Sequence, residues 1–140
     1  MFRTEIWKLM VILAKGLKEW LEDNGVPVVY HFHPHALWAY GEKAQTIHQA
    51  IYGEPLVGDY IIVMPHRMVM PDQRLRLILM AHECIHLYRH IKGWYKQENL
   101  WWEELLAYGF TMPLQALVCD WRFIFDLPRA YKWSVNLNID

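Results

Sequence analysis

Residues 73–91 read QRLRLILMAHECIHLYRHI, a stretch apolar around most of a helix, so it can be stable only where other elements cover it. Asp72, directly after Pro71, is placed to cap its start, and Lys92-Gly93 to end it. At about 100° per residue, Leu75, Leu79, His82 and His86 share one stripe, while Leu77, Ala81, Cys84 and Leu87 share another. Only a line through Arg76, Glu83 and His90 is polar. A chain organised round such a helix must supply cover on several sides.

The remaining segments supply it. Residues 4–23 carry Ile6, Leu9, Met10, Leu13, Leu17, Trp20 and Leu21 at helical spacing, with Asn24-Gly25 as a stop. VVYHFH (28–33) alternates as a strand does, and Leu37 to Tyr40 predicts a second. Glu42 to Tyr52 predicts a short helix with Ala44, Ile47, His48 and Ile51 on one face. YIIVM, between Gly58-Asp59 and Pro65, predicts a strand buried on both faces. A further helix is predicted from Glu98 to Val118, bent or divided by Gly109 and Pro113, followed by an irregular aromatic tail from Asp120.

With 140 residues, one domain spanning 1–140 is expected, long enough to fold without a metal staple. The net charge of −1 speaks against a nucleic-acid partner, and 54% hydrophobic residues against disorder. Cys84 and Cys119 form no CxxC pair and are too few for a secreted disulfide framework, so a cytoplasmic protein is expected. The longest apolar stretches, such as Leu9 to Ala14, fall far short of the roughly 20 residues that span a bilayer. Neither a signal peptide nor a membrane partner is expected.

Within the central helix, His82-Glu83-Cys84-Ile85-His86 matches HExxH. Four residues overshoot one turn by about 40°, so both imidazoles can reach one ion. Glu83 sits about 100° from His82, where it can flank that ion and take a proton from its bound water without ligating it. The bland alternative is a hydrogen-bonded core pair, but a buried, unpaired Glu83 is then costly. A zinc hydrolase needs a third protein ligand and an open fourth position. Trp101-Trp102-Glu103-Glu104-Leu105-Leu106-Ala107 offers two carboxylates among large apolar residues, one of which should face the metal if the pair does not lie on a solvated surface. The two tryptophans and the tail aromatics are expected to build a dry wall round the site.

From about Gly58 to Pro113 the chain resembles the gluzincin metallopeptidases, in particular the compact ImmA/IrrE-like group and the minigluzincins. The matching features are the strand DYIIVMP, the helix RLRLILMAHECIH, and an ExxA-type run, Glu104-Leu105-Leu106-Ala107, followed by Phe110 and Met112-Pro113. The resemblance implies a zincin-like α+β fold with an N-terminal helix, a small twisted sheet, an active-site helix and a glutamate helix. It implies Zn2+ held by His82, His86 and Glu104, and Glu83 as general base and acid in hydrolysis of a peptide or protein substrate. Glu104 is preferred to Glu103 because that ligand usually stands three residues before the Ala. Tyr108 departs from the Asn or Asp common after it, and no helix-turn-helix region accompanies the match.

Other features stay open. The donor for a tetrahedral oxyanion can be Tyr88, Tyr108, Tyr131 or His90. His90 borders the cleft or is solvated near the helix end, and Cys84 should point away from the ion. His31, His33 and His35 form a second metal site or rim residues. Trp121 to Trp133 closes the core, lies along the cleft as C-terminal segments do in minigluzincins, or forms a homodimer surface. The rival to an enzyme is a zinc-binding regulatory or interaction module, of phage or defence origin, that does not turn over.

Overall fold

The unbroken apolar run ahead of Pro65 becomes the middle strand of a sheet, as an element without a polar face must. In a computed structural model, which describes residues 2–118, β1 (Val28–His31) and β2 (Leu37–Tyr40) flank β3 (Tyr60–Pro65) in the order β1-β3-β2. β1 pairs with β3 in parallel, Val28 opposite Ile62, and β2 pairs antiparallel, Trp38 also opposite Ile62. With α1 (Phe2–Asp23), α2 (Gly41–Tyr52), α3 (Gln73–Ile91) and α4 (Leu100–Val118), the fold is α+β.

The period of two along β3 divides the core. Ile61 and Val63 pack with Val29, Ala39, Ala44 and Leu56 beneath α2. Ile62 and Met64 turn the other way, onto Leu21, Trp38, Cys84 and Leu87 from α1, β2 and α3. α3 therefore lies on one sheet face, between α1 and α4, with α2 on the opposite face. That sandwich covers α3 on several sides, and Leu77, Ile78, Ala81, Cys84 and Leu87 are all buried. Its supposed polar line is covered too, with Glu83 buried and Arg76 and His90 half-buried.

Several elements depart from expectation for identifiable reasons. β1 stops at His31 rather than His33 because β3 ends at Pro65 and leaves nothing further to pair with; the His66 N–H closes the ladder on the His31 carbonyl at 2.8 Å. α1 needs only a narrow stripe against α3, so Met10 and Leu21 are buried while Leu9, just beyond the edge of that stripe, is exposed. α4 runs unbroken through Gly109 and Pro113. Among the described residues no helix is long and apolar enough to cross a membrane. The aromatic tail, 120–140, lies outside the described residues.

The ends of α3 are set as its sequence anticipates. The Asp72 carboxylate accepts the Arg74 N–H at 2.9 Å, and Gly93, at φ +77°, lets the chain leave in a left-handed turn. Asp72→Ala should cost about 1 kcal/mol of stability in urea denaturation, with Asp72→Asn costing much less. The Arg74 side chain holds the Asp72 carboxyl below its ordinary value of 3.8. A carboxyl depressed in the folded state stabilises above that value, so the gap between wild type and Asp72→Ala should narrow as pH falls below it.

Candidate metal centre

Glu103 and Glu104 are consecutive on α4, so their side chains leave the helix about 100° apart. They find different partners. Glu104 reaches into α3: its Oε2 lies 3.0 Å from His82 Nε2 and its Oε1 2.9 Å from His86 Nε2, while the two Nε2 atoms are 3.1 Å apart. All three residues are buried, His86 to 1% exposure. Among the described residues this is the one trio of His, Cys, Asp or Glu side chains whose donor atoms all lie within 4.8 Å of one another.

The donor chemistry fits a cation. Two imidazole nitrogens and a carboxylate cannot all turn lone pairs on one point without a proton or a metal ion between them. Donors of a tetrahedral zinc, bound at about 2.0–2.1 Å, stand about 3.3 Å apart, so this set needs to open by only a few tenths of an ångström. Burial works to raise the Glu104 carboxyl, but the hydrogen bonds to His82 and His86 outweigh it and hold it well below the ordinary carboxylate range. Glu104 therefore faces the histidines as an anion. His86 Nδ1 is buried with no hydrogen-bond partner among the described residues.

Glu83 lies beside this trio, 5% exposed, and among the described residues nothing hydrogen-bonds its carboxyl group. Burial pushes that carboxyl up to about 7; His82 pulls against the rise and Glu104 adds to it. Cys84 points into the opposite core, as the helix geometry requires, and burial pushes its thiol up to about 12.

Glu103 is a structural residue. It has no exposed surface, and it takes Arg89 Nε on Oε2 at 2.7 Å, Arg89 Nη2 on Oε1 at 3.0 Å and the Lys96 N–H on Oε1 at 2.8 Å. Arg89 also donates to the Trp94 carbonyl at 3.0 Å. A carboxylate with three such donors can be buried as an ion. Glu103 stands in the first turn of α4, where the helix dipole favours negative charge, and the Asn99 side chain caps that turn by accepting the Trp102 N–H at 3.1 Å.

Of the expected wall, the tail aromatics lie outside the described residues, and the two tryptophans do not form it. Trp101 is 59% exposed and Trp102 39%, so neither encloses the cluster. Instead Tyr108 packs on His82 with ring centres 4.5 Å apart, and Trp38 and Tyr95 lie against His86 at 6.5 and 5.9 Å. Burial, with the Glu104, Glu103 and Glu83 charges adding, raises the Tyr95 hydroxyl above its ordinary range. Trp38, Tyr40, Tyr95 and Leu100 also line a cleft of roughly 530 Å³, to which His82, Glu83, His86 and Glu104 contribute nothing.

The other candidates have distinct settings. His90 is half-buried, with its Nδ1 2.9 Å from the Tyr60 hydroxyl oxygen and its ring against Trp38, Tyr40 and Tyr95. Tyr88 packs between Trp20 and Trp94, and Tyr131 lies outside the described residues. Sequence reasoning missed Arg89, although a signal existed. On the helical wheel Arg89 falls within about 20° of His82, so one stripe of α3 presents two histidines and an arginine to a helix bearing two carboxylates. Trp38 and Tyr95 carried no comparable signal.

No family model, curated protein or solved structure matches the chain.

Arg89→Met strands Glu103 in the interior and should destabilise the protein by about 3 kcal/mol or more in urea denaturation. Adding Glu103→Leu should restore most of that loss, since an apolar pair of similar volume needs no charge partner.

Proposed function

We propose that the chain is a zinc-dependent metallopeptidase of gluzincin type, in which His82, His86 and Glu104 hold the metal and Glu83 moves the protons. The observation that carries this reading is the convergence of two Nε2 atoms and a carboxylate within 3.1 Å, on two helices, beside a buried glutamate. The i, i+4 histidines come from one rigid helix and the carboxylate from its neighbour, the division of labour that the ImmA/IrrE-like and minigluzincin resemblance implies. The two isolated cysteines accord with a cytoplasmic setting.

A zinc ion bound by this trio supplies Lewis acidity, which acidifies water and stabilises negative charge developing on a substrate carbonyl oxygen. The chain's own residues do the rest. Glu83 takes a proton from the attacking water and returns it to the leaving amine, a sequence that needs a carboxyl group with no structural hydrogen bond to break. Glu104 stays anionic, and its charge keeps the histidines oriented toward it. Trp38, Tyr95 and Tyr108 pack round the imidazoles and hold them in place.

Zinc content and cleavage of an unfolded protein substrate, measured on the same preparations, test the assignment. Glu83→Gln should retain about one zinc and lose cleavage by at least the roughly 100-fold that a general base contributes. Glu104→Gln should lose both zinc and cleavage. Equal cleavage by wild type and Glu83→Gln would sink the catalytic role of Glu83, and unchanged zinc in Glu104→Gln would remove Glu104 from the ligand set.

A further inference from the structure

The histidines of YHFHPH stand apart from the cluster on α3, and their arrangement has its own chemistry. β1 ends at His31, and the chain turns so that His31, His33 and His35 bring their rings together. All three pairs are in contact: ring centres are 5.3 Å apart for His31 and His33, 4.9 Å for His31 and His35, and 5.4 Å for His33 and His35. Three imidazoles on one tetrahedral ion, with metal–nitrogen bonds of about 2.0–2.1 Å, place their ring centres about 5 Å apart. We propose that His31, His33 and His35 form a second site for a divalent transition-metal ion, zinc being the probe of choice, separate from the site at His82.

One hydrogen bond supports a ligand set. His31 Nε2 donates to the His35 carbonyl oxygen at 2.6 Å, which leaves Nδ1 as the ring nitrogen that can turn toward an ion. A backbone carbonyl taking the proton of one ring nitrogen is the support that metal-ligating histidines generally have. The segment is also anchored, because the His31 carbonyl accepts the His66 N–H at 2.8 Å and the His66 ring stacks on Phe32.

The site differs from the one on α3 in readiness. Of the two, only the α3 trio already holds its donors within 4.8 Å of one another. At the end of β1 the rings are gathered but their nitrogens are not, and His33 is exposed, so it is free to turn about its side-chain bonds as an ion binds. Binding here is therefore weaker than at the buried trio.

Zinc titration of the full chain, read by native mass spectrometry, tests this. The wild type should bind two equivalents of different affinity. His33→Ala should weaken the second equivalent by more than the roughly 10-fold that loss of a supporting hydrogen bond costs at a metal ligand, and leave the first intact. His33 is exposed, so this variant should keep its fold by circular dichroism, and His33→Asn serves as a second. In wild type alone, zinc should protect His31 and His33 from diethylpyrocarbonate, mapped by mass spectrometry. The double variant His82→Ala, His86→Ala should keep the weaker equivalent. A single wild-type equivalent indifferent to His33 would overturn the proposal, as would inorganic phosphate binding that His33→Ala abolishes, which marks a protonated anion site. A single equivalent removed by His33→Ala would uphold this site and overturn the one at His82.

Discussion

A carboxylate with no exposed surface is tolerable only where donors match its charge, and Glu103 depends on Arg89 and the Lys96 N–H for that match. These bonds cross from α4 to the last turn of α3 and to the connection between them. They fix the rotation of α4 about its axis, and rotation is what decides where the next residue points. Glu104 reaches both histidines because its neighbour is held elsewhere. The ion pair contributes less as stability than as aim: it turns one helix so that a second carboxylate arrives where two imidazoles already wait.

The sheet sets the other half of the geometry. β3 is buried on both faces, so α3 can press onto Ile62 and Met64 while α2 closes the far side. β2 runs antiparallel to β3 and delivers Trp38 to the α3 side, against His86. The imidazoles are thus held from two directions, by the sheet through Trp38 and by α4 through Tyr108 and Glu104. Positions fixed in this way keep donor atoms close without a long loop anywhere in the site.

Much of this was legible in the residues. The Asp72 cap, the Lys92-Gly93 end, the two-faced burial of YIIVMP and the inward stripe of α3 all follow from period and cap chemistry, because each is decided by neighbours in the chain. The phase of α4 was not legible. Its two charged residues among Leu100 to Pro113 both face inward, while Trp101, Leu105 and Phe110 face out, so polarity along the helix gives the wrong side as its exterior. Choosing between Glu103 and Glu104 on residue chemistry alone required noticing that Arg89 shares the histidine stripe. β1 ended early for a related reason: a strand's length is set by its partner, which no local pattern records.

Adjacent carboxylates create a degeneracy. Were α4 to slide and turn by one residue, Glu104 would meet Arg89 and another residue would meet the histidines, yet Arg89 would be as well paired as before. Side-chain chemistry does not forbid that slip. The connection at 92–99 does, because the Lys96 N–H and the Trp94 carbonyl hold the ion pair through the backbone and Asn99 caps the first turn. Those eight positions work as a ruler whose length, more than its composition, sets which glutamate faces the histidines. Losing one residue there would mis-set the register of the site while leaving every one of its side chains present.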